Sequence, residues 1–171
     1  RSLGPSIAIK TEFSAGPAII VADANQLEAA LLNLAVNARD AMPNGGTFHI
    51  SLAALDDHQH NHAGEGTWFR LAIADSGTGV APEILPHLFE PFFTTKPRGH
   101  GTGLGLAQVY GIVKQHGGEI DLQSIVGQGT TFTIYLPATS QSIDDVSHEE
   151  SPHDHFGHGE SILLVEDNAL L

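Results

Sequence analysis

From Gly99 to Gly105 the chain reads Gly-His-Gly-Thr-Gly-Leu-Gly, with glycine at every second position, and then turns apolar at helical spacing. Alternating glycines leave the backbone bare of β-carbons and free to make unusual turns. A helix that opens directly afterwards presents unpaired N–H groups and the positive end of its dipole. Together these suit an anion, phosphate above all, held by backbone amides. Lys96 and Arg98 lie just upstream and add positive charge. A merely flexible glycine-rich loop has the same composition. Two other phosphate loops are excluded, because neither G-x-x-x-x-G-K-[ST] nor G-x-G-x-x-G occurs here.

The helix after this run is predicted over Leu104 to His116, with Leu106, Val109 and Val113 inward and Gly117-Gly118 ending it. Another amphipathic helix is predicted from Ala24 to Met42. Leu27, Leu31, Leu34 and Ala38 recur there on one face of a 3.6-residue period. Asp23 or Asn25 can cap its start, and Pro43-Asn44-Gly45-Gly46 stops it. Extended segments are expected at Ser6 to Phe13 and at Ala18 to Val21. Strands are expected over Thr47 to Leu55 and Trp68 to Ala74, joined by a polar hairpin loop, Asp56 to Gly66. A short helix from Pro82 to Leu88 precedes an expected mobile loop, Phe89 to Gly103, anchored by Phe92 and Phe93. Two last strands, Glu119 to Ser124 and Thr130 to Leu136, close the pattern. Helices interleave with hairpin strands, which predicts a two-layer α/β sandwich with a mixed, mostly antiparallel sheet.

Charge divides the chain. Residues 1-137 hold twelve acids and all seven Lys and Arg, whereas residues 138-171 hold eight acids and no Lys or Arg. The first stretch is expected to be one globular domain. Residues 138-160 read as an acidic flexible linker. Residues 161-171, with the apolar run Ile162 to Val165 before Glu166-Asp167-Asn168, read as the truncated start of a further domain. A formal charge of -13 argues against sequence-independent nucleic-acid binding, which needs cations facing phosphates. Absence of cysteine excludes disulfides, thiolate zinc sites and cysteine nucleophiles. Apolar stretches such as Leu71 to Ala74 are far too short to span a bilayer, and no export signal opens the chain. A cytoplasmic setting, without direct membrane contact, is expected.

Three further constellations can carry chemistry. Asn33, Asn37 and Asp40 fall on one helical stripe, expected opposite Leu31, Leu34 and Ala38. Carboxamide oxygens can ligate a hard cation such as magnesium, although asparagine on an exposed face is ordinarily just solvated. Asp75-Ser76-Gly77-Thr78-Gly79 ends a strand. A carboxylate there can accept from the exocyclic amine of adenine, while Gly77 and Gly79 let backbone approach a flat base. A plain strand-ending turn has the same composition. Thr130 follows the turn Gly127-Gln128-Gly129 and can reach a ligand from there, or simply complete the turn. His58, His60 and His62, and His153, His155 and His158, alternate closely enough to capture a transition metal, but solvated loop histidines are the simpler reading.

Taken in order, NLAVNARDAM, DSGTG, LFEPFFTTK, GTGLGL and GQGTTF resemble the N-box, first glycine box, F-box, and second and third glycine boxes of a known family. The family is the catalytic ATP-binding domain of bacterial sensor histidine kinases, within the wider GHKL ATPase superfamily. The resemblance covers about residues 1-137 and implies a Bergerat-type ATP-binding fold. It also implies ATP and Mg2+ as ligands. Asn37 would bind magnesium with Asn33 beside it, and Asp75 would accept from adenine N6 beside Gly77 and Gly79. Gly101, Thr102, Gly103, Leu104, Gly105 and Leu106 would hold the phosphates. Lys96 would reach the terminal phosphate, and Thr130 would close the adenine side. Related ATPases of the superfamily carry Glu where Asn33 stands, so hydrolysis by that route is disfavoured. Many kinases of the family have Lys where this chain has Asp40, which leaves Asp40 a supporting place beside the phosphates.

The resemblance further implies a transferase of two-component phosphorelay signalling. Its partner would be a dimerisation and histidine phosphotransfer domain outside this chain, without which autokinase activity is not expected. ILLVEDN resembles the first strand of a receiver domain, with Glu166-Asp167 as its acidic pair, so the parent resembles a hybrid kinase. Two rivals stand beside this reading, a self-contained GHKL ATPase switch and a non-catalytic docking module.

Overall fold

The computed structural model describes residues 6–14, 19–55, 67–96 and 101–139. Five strands and two helices make up the fold: β1 (Ile7–Phe13), α1 (Ala24–Ala41), β2 (Gly46–Leu55), β3 (Trp68–Asp75), α2 (Gly105–Gln115), β4 (Glu119–Ile125) and β5 (Gly129–Pro137). The sheet order is β1-β2-β3-β5-β4. β1 and β2 pair in parallel, as the crossover through α1 requires, and the other three pairings are antiparallel. This is the expected mixed sheet under a helix layer.

Strand period and helix period meet in one core. Ile50, Ile73, Phe132 and Leu122 stand opposite one another across β2, β3, β5 and β4, a row on the face that the helices cover. Leu34 of α1 and Val109 and Val113 of α2 are fully buried against this core. Truncating a leucine so placed typically costs about 2–5 kcal/mol. The same period of two takes the inward row of β3 from Leu71 through Ile73 to Asp75, so the strand delivers a carboxylate to the helix side.

Several local expectations are corrected. The buried stripe of α1 is Ala30, Leu34 and Ala38, with Leu27 partly buried, whereas Leu31 is exposed. Asn33 and Asn37 therefore flank that stripe, roughly 100° round the helix, rather than oppose it. Residues 19–21 form no strand. They are the crossover into α1, tied by one bond from the Thr139 amide to the Ile19 carbonyl at 3.0 Å. The short helix is a single 3-10 turn, Leu85–His87, because Pro86 has no N–H to donate one turn back. Phe92 is no anchor, being 74 % exposed with φ 68. Phe89 packs on the core instead, its ring 5.4 Å from Tyr110. The loop histidines, Arg98, the region from residue 140 onward and the apolar run Ile162 to Val165 lie outside the described residues.

Candidate functional site

A cleft of about 700 Å³ opens between α1, α2, the sheet ends and the segment 93–96. That is within the range of roughly 300–1,000 Å³ found for small-molecule sites. Twelve of the fourteen site residues expected from sequence line it, Gly77 and Leu104 being the two that do not.

At one end stands Asp75. Its Oδ1 accepts the Gly77 amide at 2.8 Å, and the carboxylate also accepts the Thr130 amide across the β3–β5 pair. Burial pushes its carboxyl above the ordinary value, and the two amides pull it back only in part. Gly77 thus orients the carboxylate rather than forming the wall. Gly79 has φ 66, and a β-carbon there would stand 2.2 Å from the Ile125 carbonyl, so no other residue fits without backbone movement. Val80, Leu88, Phe93 and Phe132 add apolar surface suited to a flat ring.

Thr130 is 6 % exposed and its hydroxyl is already engaged. Ser124 Oγ accepts the Val80 amide at 2.8 Å and donates to the Gly129 carbonyl at 3.0 Å. Thr130 Oγ1 shares a hydrogen bond with Ser124 Oγ at 2.9 Å, which fixes the threonine hydroxyl beside the cleft.

The other end is polar. α1 is closed at its start by Asp23, whose carboxylate accepts the Asn25 and Gln26 amides. α2 has no side-chain cap, and Gly105 and Leu106 of its first turn line the cleft. Its first amides and dipole end are thus directed at the cleft. A β-carbon on Gly105 would stand 3.2 Å from Asn33 Oδ1, so this glycine lets the two helices close around Asn33. Gly103, φ 67, packs against the Phe92 backbone and accepts its amide at 2.9 Å. Thr102 Oγ1 accepts the Leu104 amide at 3.3 Å, which gives Leu104 a turn-forming place outside the lining.

Between the ends, Lys96 Nζ lies 3.4 Å from Asn37 Oδ1 and pairs with Asp40 Oδ2. Arg39 holds the other Asp40 oxygen at 2.9 Å. Burial pushes the Asp40 carboxyl upward, yet the bonds and charges of Lys96 and Arg39 outweigh it and hold the group below its ordinary value. Ser124, Arg39 and Thr94 join the site without standing out in the sequence as site residues. Thr94 signalled itself only as part of FFTTK, and Ser124 carries no local signal because its role is to bridge two turns distant in sequence. Among the described residues, no group of three or more His, Asp and Glu is placed to hold a metal by itself. Nor is any helix among them long and apolar enough to cross a membrane.

The fold and cleft define a two-layer α/β domain with a carboxylate at one end and an amide-rich helix start at the other. Residues 22–140 match the family described as histidine kinase-, DNA gyrase B-, and HSP90-like ATPase, and the chain belongs to that family. It is 45 % identical over 142 residues to the sensor kinase CckA of Brucella abortus, covering 80 % of this chain and 15 % of that protein. It is 42 % identical over 142 residues to the sensor histidine kinase ZraS of Klebsiella oxytoca, covering 82 % of this chain and 28 % of that protein. The chain thus spans a minor part of these relatives. Among solved structures, full-length ShkA in complex with AMPPNP aligns with a TM-score of 0.64 at 31 % identity, over 80 % of this chain and 26 % of that one. The catalytic domain of histidine kinase ThkA aligns with a TM-score of 0.62 at 28 % identity, over 77 % of this chain and 80 % of that one.

Proposed function

We propose that the cleft binds ATP with Mg2+, and that this domain passes the terminal phosphate to a histidine on a helical dimerisation domain. The observation that carries this reading is the convergence of Asp75, Asn37, Lys96 and the uncapped start of α2 on one cleft. The donor set fits the ligand. Asp75 is an acceptor for a ring amine, Asn37 offers a hard oxygen, and Lys96 with the α2 amides offers positive charge for phosphates. A bound magnesium ion would supply charge neutralisation at the phosphate oxygens.

The chain's own residues do the positioning. Asp75 fixes the ring edge with the Thr130 hydroxyl beside it, while Phe132 and Val80 exclude water from the ring faces. Asn37 and Asn33 face the phosphate end from α1, and Lys96 meets the terminal phosphate. Phosphoryl transfer asks mainly for such positioning and charge stabilisation. Asp40 and Asp75 are the two carboxylates among the described lining residues. Asp40 is bound by two cations and Asp75 by two amides. Neither is a free base to activate water, and Asn33 has no basic atom. This supports transfer to an incoming histidine over hydrolysis. We further propose a cytoplasmic phosphorelay, with a receiver domain beginning near residue 161 on the resemblance of ILLVEDN to a receiver strand.

The test mixes the domain with Mg-ATP, alone and then with the separately made helical hairpin of its parent protein. Binding without phosphorylation, followed by acid-labile phosphohistidine on the hairpin, is expected. Steady turnover of ATP by the domain alone would move the function to a self-contained ATPase. Failure to bind Mg-ATP would leave only a docking module.

A further inference from the structure

Asp40 is the meeting point of two cations. Arg39 clasps Oδ1 through Nε at 3.0 Å and a terminal nitrogen at 2.9 Å, which turns Oδ2 toward the cleft. Lys96 Nζ takes that Oδ2 at 2.5 Å. The same ammonium lies 3.4 Å from Asn37 Oδ1. The helix sets this up, because positions three apart share a face and Asp40 follows Asn37 by three. A lysine cation therefore stands at the oxygen to which the proposed function assigns a metal ion. Two cations at one carboxamide oxygen repel strongly at this range. An ammonium screened by the Asp40 carboxylate at this distance attracts a phosphate less, so the carboxylate and the phosphate compete for one charge.

The lysine stem is part of the same device. A β-carbon on Gly101 would stand 2.7 Å from Thr94 Oγ1 and 3.2 Å from both Cβ and Cδ of Lys96. Thr94 Oγ1 in turn accepts the Lys96 amide at 3.1 Å. Glycine at 101 thus lets the backbone lie on the lysine stem. Fixing Nζ on α1 therefore ties residues 94–96 and Gly101 together.

We propose that Asp40 is a positioning residue that competes with nucleotide phosphate for Lys96, so that Lys96 leaves Asn37 as the metal-bound phosphates take its place. The proposal rests on the nucleotide reading above. It makes the pairing an exchange: Lys96 is held by Asp40 over Asn37, or by phosphate with Asn37 on the metal. Each ligand of the lysine then weakens the other by the same factor.

The test is a double-mutant cycle of Asp40→Asn and Lys96→Met on the full chain. In the nucleotide-free protein, amide hydrogen exchange across 93–96 is expected to quicken in each single variant, by roughly three- to tenfold for a partly exposed pair. The double variant should be no faster than either single one. With ATP and no divalent metal, Asp40→Asn should bind roughly three- to tenfold more tightly than the parent, and that gain should vanish in the Lys96→Met background. Unchanged exchange, or effects that multiply in the double variant, overturn the proposal. So does a gain in ATP affinity that survives Lys96→Met, since removal of a negative charge alone would give it. A collapse of the magnesium enhancement with metal-free affinity unchanged overturns it too, by making Asp40 a metal ligand. If the parent protein binds no ATP at all, the nucleotide reading fails, while the exchange cycle still judges the ion pair.

Discussion

Asp75→Asn separates recognition of the base from folding. The substitution keeps shape and leaves a carbonyl oxygen for the Gly77 amide, which lies 2.8 Å from Oδ1. That bond turns the new amide nitrogen toward the ring, so a donor faces the exocyclic amine of adenine. A hydrogen bond to a charged acceptor contributes about 1.5–3 kcal/mol, and leaving two donors opposed places the loss at the upper end. At about 1.4 kcal/mol per decade, ATP affinity should fall roughly ten- to 150-fold. Folding should change little, because any weakening of the Thr130 amide bond is offset by no longer burying a charge. Burial raises the Asp75 carboxyl above its unfolded value, so its contribution to stability is present below the unfolded pKa and is lost as pH rises through the raised one. A neutral isostere removes that penalty at neutral pH. Calorimetric titration with Mg-ATP and Mg-ITP checks the argument, because the 6-oxo group of ITP accepts from the new amide and its affinity should rise relative to ATP. An unaltered preference for ATP in a protein of unchanged Tm would refute the assignment of Asp75 to the base.

Other perturbations test the remaining parts. Asn37→Ala should weaken Mg-ATP binding about tenfold or more and leave metal-free ATP binding much less affected; equal loss in both titrations would deny Asn37 the metal. ATP affinity should fall on acidification through the raised Asp75 pKa, at a higher pH than an ordinary carboxylate would give, and this step should be missing in Asp75→Asn. His116 joins the helices, since its Nε2 accepts the Asp23 amide at 2.9 Å and its Nδ1 meets the Ile112 carbonyl at 2.8 Å. His116→Phe removes both bonds and should destabilise the fold by about 1–3 kcal/mol, read as a lower urea midpoint with an unchanged slope.

Elements with strong period were legible in the chain itself. α2 and the strands β2, β3 and β5 fall within a residue or two of their expected bounds, because apolar spacing and glycine or proline stops coincide there. What escaped was decided by neighbours. Leu31 has the same spacing as its buried companions, but a shallow apolar groove separates it from Phe48, Ile50, Leu71 and Ile73, so it is left exposed on the rim. Phe92 reads as an anchor by composition, yet with a left-handed backbone it stands exposed, and the partly buried Phe89 packs on the core instead. Neither outcome has a local signal.

The site divides along the same line. The carboxylate at the end of β3 and the glycine run before α2 were legible because each needs only its own element, a strand that alternates and a helix that starts uncapped. The pairings that set the charges were not, since Lys96 meets Asp40 across 56 positions of chain and Ser124 reaches Val80 across 44. Sequence spacing marks where a charge is carried, whereas its state depends on what the fold brings beside it. Asp40 illustrates the consequence. Among the letters it looks like a negative charge misplaced beside phosphates, and in the fold it is balanced by Lys96 and Arg39, so that the local field at the cleft stays favourable to an anion.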